Sequence, residues 1–155
     1  GRWVDETASH FPVTRSCFER IHPKANVGFS ALEAHSHIAA HVGANRGALR
    51  FQLPIIVPGR SGQCRIRIGD DMVHWEEGTG IVFDLSTDHE AWNETDDLRV
   101  LLMVEIPQPL PVPWRWLNHL AQYSYRWHPS YREMPDRISA FGRAVVDPAT
   151  SVDRP

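Results

Sequence analysis

Lysine is almost absent from this chain: of its 16 basic residues only Lys24 is one. An arginine bias of this kind is what GC-rich coding produces, and it carries no chemistry by itself. Cysteine is scarce as well. Cys17 and Cys64 are the only two in 155 residues, which excludes a disulfide-stapled scaffold. Neither belongs to a CxxC pair, so a thiolate zinc site is excluded too. The pattern reads as two reduced thiols in a cytoplasmic protein, with one Cys17–Cys64 disulfide left open by the sequence. No run of about 18 apolar residues occurs, and no segment is read as crossing a bilayer. An excess of one charge is also missing. The 16 basic and 19 acidic side chains leave −3, unlike the concentrated basic surface of a dedicated nucleic-acid binder. The chain opens on Gly1 rather than Met, which reads as a trimmed start with an N-terminal piece missing.

What is present is a chain of one-domain length, 42% hydrophobic and 23% charged, too apolar to be disordered. Between Val27 and Ile106 short apolar runs alternate with turn residues. The runs are Val27–Leu32, Leu49–Val57, Gln63–Ile68, Met72–Trp75, Thr79–Leu85, Asp88–Asn93 and Leu98–Ile106. A polar stretch with clustered histidines follows the first. Cys64, Ile66 and Ile68 alternate with Arg65 and Arg67, the period of a half-buried strand, and Gly69-Asp70-Asp71 reads as a hairpin turn. About eight strands at roughly ten-residue spacing predict an all-β sandwich or barrel. After Pro107 the pattern turns helical, over Trp114–Tyr125 and again over Asp136–Val146. The aromatic residues of the first helix are expected to cover a sheet. Residues 1–10 and 148–155 read as polar tails, on either side of a core over 11–107 and a helical segment over 108–147.

Histidine is the over-represented chemistry, with nine residues, of which His35, His37 and His41 crowd into seven positions. His74 and His89 complete the metal candidates. His37 and His41 share strand parity but would stand about 13 Å apart on an extended chain, so one of them needs a partner elsewhere. His89, between a polar turn and a new strand, is that partner. Arginine poses a second question. Arg50 shares a strand face with Gln52, and Arg99 opens the apolar run Val100–Val104. A buried guanidinium is costly unless an anion pairs with it, and its fork matches a carboxylate.

Phe29-Ser30-Ala31-Leu32, His37-Ile38-Ala39-Ala40-His41-Val42-Gly43, Leu49-Arg50-Phe51-Gln52-Leu53 and Cys64-Arg65-Ile66-Arg67 follow one another in order. Trp75-Glu76-Glu77-Gly78, Phe83-Asp84, His89-Glu90-Ala91-Trp92-Asn93 and Arg99 continue the set. Over about Phe11 to Pro107 this chain resembles the aspartyl/asparaginyl β-hydroxylase family of iron- and 2-oxoglutarate-dependent oxygenases. The resemblance implies an all-β, double-stranded β-helix (jelly-roll, cupin-like) core with C-terminal helices. It implies His41 and His89 as Fe(II) ligands and Arg99 as the partner of the distal carboxylate of 2-oxoglutarate. Ser30, Arg50 and Gln52 are further cosubstrate contacts by the same resemblance, Gln52 standing where the family usually has histidine. Related oxygenases often complete a facial triad with a His-x-Asp carboxylate. Here Gly43 stands at that position, as in the branch of the family that resembles this chain and holds iron with two histidines.

The implied activity is hydroxylation of an unactivated C–H bond with Fe(II), 2-oxoglutarate and O2, giving succinate and CO2. The implied substrate is an aspartyl, asparaginyl or other amino-acid-type group, free, in a peptide or on a carrier, although other members act on lipids. Arg46, Arg65, Arg67 and His74 are candidates for gripping a substrate carboxylate, against an exposed-face reading of Arg65 and Arg67. Halogenation is a minor alternative, because the missing carboxylate leaves room for chloride. Two rivals remain: a cupin-type metalloenzyme without 2-oxoglutarate, and a jelly-roll binding protein that kept only the shell. Neither membrane nor nucleic acid is an expected partner, and the sequence is silent on oligomeric state.

Overall fold

The computed structural model describes residues 3–20, 26–43, 45 and 47–124. Arg46 and the helix predicted over Asp136–Val146 lie outside them. Two compact units are distinguished, Gly1–Pro23 with Tyr123–Pro155, and Lys24–Gln122. The described part of the first holds two helices that the sequence does not predict, α1 (Asp5–Ala8) within the expected polar tail over 1–10 and α2 (Pro12–Arg20) within the expected core over 11–107. Arg15 ties them together, bonding Asp5 at 3.1 Å and Glu19 at 2.9 Å. These are exposed pairs that solvent screens, and they add little to stability.

The described residues of the second unit hold eight strands: β1 (Asn26–Leu32), β2 (Ser36–His41), β3 (Ala48–Ile56), β4 (Cys64–Ile68), β5 (Asp71–His74), β6 (Ile81–Asp84), β7 (His89–Asn93) and β8 (Arg99–Pro107). They form two four-stranded sheets, in the orders β1-β8-β3-β6 and β2-β7-β4-β5, with every pair antiparallel. This division of consecutive strands between two facing sheets is the double-stranded β-helix that the resemblance implies. β4 and β5 are joined by Gly69-Asp70, with Gly69 at φ 58°, the left-handed conformation that a tight hairpin requires and glycine adopts without strain.

Strand alternation fills the space between the sheets. Ala48, Phe83 and Leu101 from one sheet meet Cys64, Ile66 and Ala91 from the other, closed by Trp75 and Leu85. Leu101 and Leu85 are fully buried, and each stabilises the fold by about 1.5–3 kcal/mol. One strand is absent from the apolar pattern. β2 reads as polar loop because its side chains are largely exposed, yet its backbone completes the second sheet.

The helix after the barrel, α3 (Trp114–Ser124), forms where predicted. Its aromatic face does not cover a sheet among the described residues: Trp116 and Leu120 remain 67% and 66% exposed. Asn118 nonetheless joins it to the barrel, donating to the Gly47 carbonyl at 2.9 Å.

Both cysteines are free, Cys17 exposed and Cys64 buried. Burial pushes the Cys64 thiol above its ordinary pKa, more than the neighbouring Arg99 and Thr95 lower it. A chromogenic disulfide reagent should therefore titrate one thiol rapidly in the native protein and two after unfolding. Two rapid equivalents in native buffer would contradict the burial of Cys64.

Candidate metal and anion site

The two sheets bring together residues that the sequence keeps far apart. On β2 and β7, His41 and His89 are direct register partners, with ring centroids 4.3 Å apart. Their pairing depends on a one-residue bulge. Ile38 faces Ala91, but His41, three residues on, faces His89, only two residues back along β7. A bulge inserts an extra residue and reverses the alternation beyond it. His37 and His41, equal in sequence parity, therefore point to opposite faces. His37 stacks on Trp92 at 5.2 Å and bonds Glu90 at 2.7 Å on the outer face, away from the pair.

Each imidazole of the pair is set by a backbone carbonyl. His41 Nδ1 lies 2.8 Å from the Ala39 oxygen and His89 Nδ1 lies 2.9 Å from the Thr87 oxygen. A carbonyl only accepts, so both Nδ1 atoms carry the proton and both Nε2 atoms present a lone pair. His89 Nε2 is buried with no hydrogen-bond partner. Burial holds the His89 pKa below its ordinary value against the opposing Thr87 bond, with His41 and Arg50 lowering it further. A neutral imidazole with a fixed tautomer and an orphaned Nε2 is the state in which histidine ligates a metal. The pair fits a divalent ion. No third histidine, cysteine or carboxylate joins it in a metal-holding group among the described residues.

Position 43 explains why no carboxylate follows on this strand. Gly43 donates to the Leu85 carbonyl at 2.9 Å, and an added Cβ would meet Leu85 Cβ, Cδ2 and O, each at 2.9 Å. Real Cβ atoms do not approach backbone so closely, so aspartate would displace Leu85 from the core. Gly43→Asp should lose about 1–3 kcal/mol of stability and gain no metal affinity. Thermal melting and Mn(II) titration of the variant check this; a stable protein with tighter metal binding would refute it.

The facing sheet supplies the anion site. Register places Ser30, Arg50, Gln52, Arg99, Leu101, Met103 and Glu105 on one face, and Arg99, Leu101 and Gln52 are buried there. Arg99 is 1% exposed, its guanidinium 4.6 Å from the Trp75 ring centroid, and its Nε and Nη2 have no hydrogen-bond partner. Desolvation pushes its pKa down to about 10, so it stays cationic at neutral pH. A buried cation with two unused donors is complementary to a carboxylate.

The other predicted contacts are held differently. Arg50 forms an ion pair with Glu105, directly opposite in register, although its buried Nε stays unpartnered. Gln52 accepts from Trp75 Nε1 at 3.2 Å, leaving its amide nitrogen only a long contact of 4.0 Å to Met103 sulfur. Ser30 is half-buried on the same face. Trp75 and Glu105 escaped the sequence reading. The period-2 series from Arg99 through Leu101 and Met103 was the available signal for Glu105.

Arg65, Arg67 and His74 do not join the site. β4 alternation turns Arg65 and Arg67 to the outer face, and His74 on β5, the register partner of Arg65, shares it; there Arg65 clasps Glu94 with two bonds of 2.6 Å and Arg67 bonds Asp88 at 2.7 Å. His35 likewise bonds Asp96 at 2.9 Å in an exposed turn. A separate cavity of about 170 Å³ lies between Val57, Pro58, Cys64, Trp75 and Glu76, and neither histidine of the pair lines it.

The family model for Aspartyl/Asparaginyl beta-hydroxylase matches residues 1–109. The chain is 38% identical over 107 residues to an ornithine lipid ester-linked acyl 2-hydroxylase of Rhizobium tropici, covering 69% of this chain and 38% of that protein. It is 28% identical over 103 residues to the aspartyl/asparaginyl beta-hydroxylase of Homo sapiens, covering 66% of this chain and 13% of that protein. It thus spans well under half the length of either relative. Similar solved structures include a predicted oxalate decarboxylase from Thermotoga maritima, 19% identical with a TM-score of 0.46, covering 57% of this chain and 72% of that one. Another is a double-stranded beta-helix protein from Klebsiella pneumoniae, 18% identical with a TM-score of 0.43, covering 56% and 70%. On the family match over residues 1–109, the chain belongs to the aspartyl/asparaginyl beta-hydroxylase family.

Proposed function

We propose that this chain carries the active site of an Fe(II)- and 2-oxoglutarate-dependent hydroxylase. The observation that carries the reading is Arg99, a buried guanidinium with no anion of its own, in the same barrel as His89, whose buried Nε2 has no partner and whose ring pairs with that of the more exposed His41. When bound, iron and 2-oxoglutarate would supply the oxidising chemistry, in which O2, the keto acid and a C–H bond give succinate, CO2 and an alcohol.

The chain's own residues do the rest. His41 and His89 hold the metal through Nε2, and their carbonyl-bonded Nδ1 atoms fix the ring orientations. Arg99 receives the distal carboxylate of the keto acid, with Ser30 and the Gln52 amide nitrogen on the same face to contact it. Arg50, already neutralised by Glu105, offers its remaining Nε. Phe83, whose ring stands 5.1 Å from that of His89, and the buried Leu101 keep water from the interior. That dryness strengthens each electrostatic contact.

The substrate reading is an amino-acid-type group, as in the aspartyl/asparaginyl relatives. A second reading, the acyl chain of an amino-acid lipid, is favoured by the higher identity to the Rhizobium tropici protein. Succinate release with Fe(II), ascorbate and 2-oxoglutarate tests the reaction, with peptides, free amino acids and ornithine lipid as separate arms. Stimulation by one arm assigns the class. No succinate in any arm, together with no 2-oxoglutarate binding, rejects the hydroxylase reading.

A further inference from the structure

Asn93 ends the His89-Glu90-Ala91-Trp92-Asn93 block, and nothing so far gives it a role. It is 0% exposed, four residues after His89 and six before Arg99. Its Nδ2 lies 3.0, 2.9 and 2.8 Å from the carbonyl oxygens of Leu32, Glu33 and Asp97. Its Oδ1 receives the Thr95 hydroxyl at 2.6 Å, the Thr95 N–H at 3.2 Å and the Cys64 thiol at 3.3 Å. The amide can sit only one way round, because carbonyls accept and cannot donate.

These bonds surround the backbone on which Arg99 stands. Leu32 is the β1 register partner of Arg99, and Asp97 lies two residues before it. Cys64, on β4, is close enough to the guanidinium for the two to perturb each other. One side chain therefore ties the end of β1, the start of β4 and the turn leading into β8 to the strand carrying His89.

We propose that Asn93, with Thr95, is a positioning residue for Arg99, setting where its guanidinium meets the anionic cosubstrate without touching metal or cosubstrate itself. The proposal rests on the hydroxylase reading above. Its physical basis is that a displacement of about 1 Å in a binding group can cost as much as a hundredfold, even when nothing else changes. The metal pair is oriented by other groups, the Ala39 and Thr87 carbonyls, and His89 stands four residues from Asn93 along β7, about 13 Å.

The test is a split between two affinities. Asn93→Ala removes a donor from the buried Leu32 carbonyl and from those of Glu33 and Asp97 and can fail to fold, so the informative variant is Thr95→Val, which keeps the shape and removes the hydroxyl. Binding of Mn(II), and of 2-oxoglutarate to the Mn(II)-loaded protein, is measured by calorimetry. Thr95→Val should weaken 2-oxoglutarate about tenfold and leave Mn(II) affinity within about twofold. Val104→Ala, buried at 6% exposure and of opposite strand parity to Arg99, should lower Tm and leave both affinities unchanged. Unchanged 2-oxoglutarate affinity in Thr95→Val, or equal loss of both affinities, overturns the positioning role while the wild-type titration still supports the hydroxylase reading. A wild type that binds neither ligand overturns both.

Discussion

Replacing Arg99 with methionine should weaken 2-oxoglutarate binding and at the same time raise the Tm of the ligand-free protein. Both effects come from the same two unpartnered donors. In the ligand-free barrel the guanidinium is buried, stacked on Trp75 and bonded to no carboxylate, so it carries an uncompensated desolvation penalty. Methionine has similar length, no charge, and a sulfur suited to the Trp75 ring. When a dicarboxylate is present the sign reverses, because truncating one partner of a buried charge pair costs about 2–5 kcal/mol. That is a loss of affinity of about 30-fold to several thousandfold. Arg99→Lys should recover only part of it, since an ammonium keeps the charge and loses the fork. Paired melting curves and keto-acid titrations read out both signs. A variant less stable than wild type that binds 2-oxoglutarate equally well would remove Arg99 from the site and make it a structural residue.

The second large effect is loss of metal binding in His41→Ala and in His89→Ala. With two protein ligands, removing either leaves a single imidazole. The loss should exceed the 10–100-fold typical of disturbing a partner outside the ligand set. His37→Ala is the internal comparison. Its ring lies on the outer face against Trp92 and Glu90, so metal affinity should not move and stability should fall by no more than about 1 kcal/mol. Equilibrium binding of Mn(II) to the three variants decides the matter. If His37→Ala loses the metal and His41→Ala keeps it, the bulge in β2 has been assigned to the wrong side of the pair.

That bulge also marks where sequence stops being sufficient. Alternation in Cys64–Ile68 and the apolar run after Leu98 announce β4 and β8, because a half-buried strand must alternate and a central strand must be apolar. The two-sheet architecture follows from such segments. β2 announces nothing: Ser36–His41 is exposed along most of its length and is a strand only through its pairing with β7. Counted by parity, His37 and His41 are equivalent, and only the inserted residue turns His41 toward His89 while His37 lies against Trp92.

The arginines divide in a similar way. Arg65, Arg67 and Arg99 are all arginines on or beside apolar strands; the alternation of β4 already suggests an exposed face for the first two, but spacing alone does not exclude any of them from gripping a carboxylate. Glu94, Asp88 and Glu90 are the difference, since they lie opposite the first two across the sheet and are absent from Arg99's surroundings. Arg50 falls between, its acid partner Glu105 lying 55 residues away in sequence and directly across in register. Pairing at that range cannot be counted from spacing. The resemblance to a family names His41, His89 and Arg99 together, whereas it gives no role to Asn93 or to Trp75, whose ring centroid lies 4.6 Å from the Arg99 guanidinium.

If one barrel holds a metal on His41 and His89 and a keto dicarboxylate on Arg99, binding of the dicarboxylate should depend on the metal and on all three side chains. Calorimetric titration of 2-oxoglutarate into the protein, with and without Mn(II) as a redox-stable stand-in for Fe(II), tests it directly. The prediction is a single site that needs the metal and is lost in His41→Ala, His89→Ala and Arg99→Met. Binding that ignores the metal, or survives all three substitutions, would contradict it.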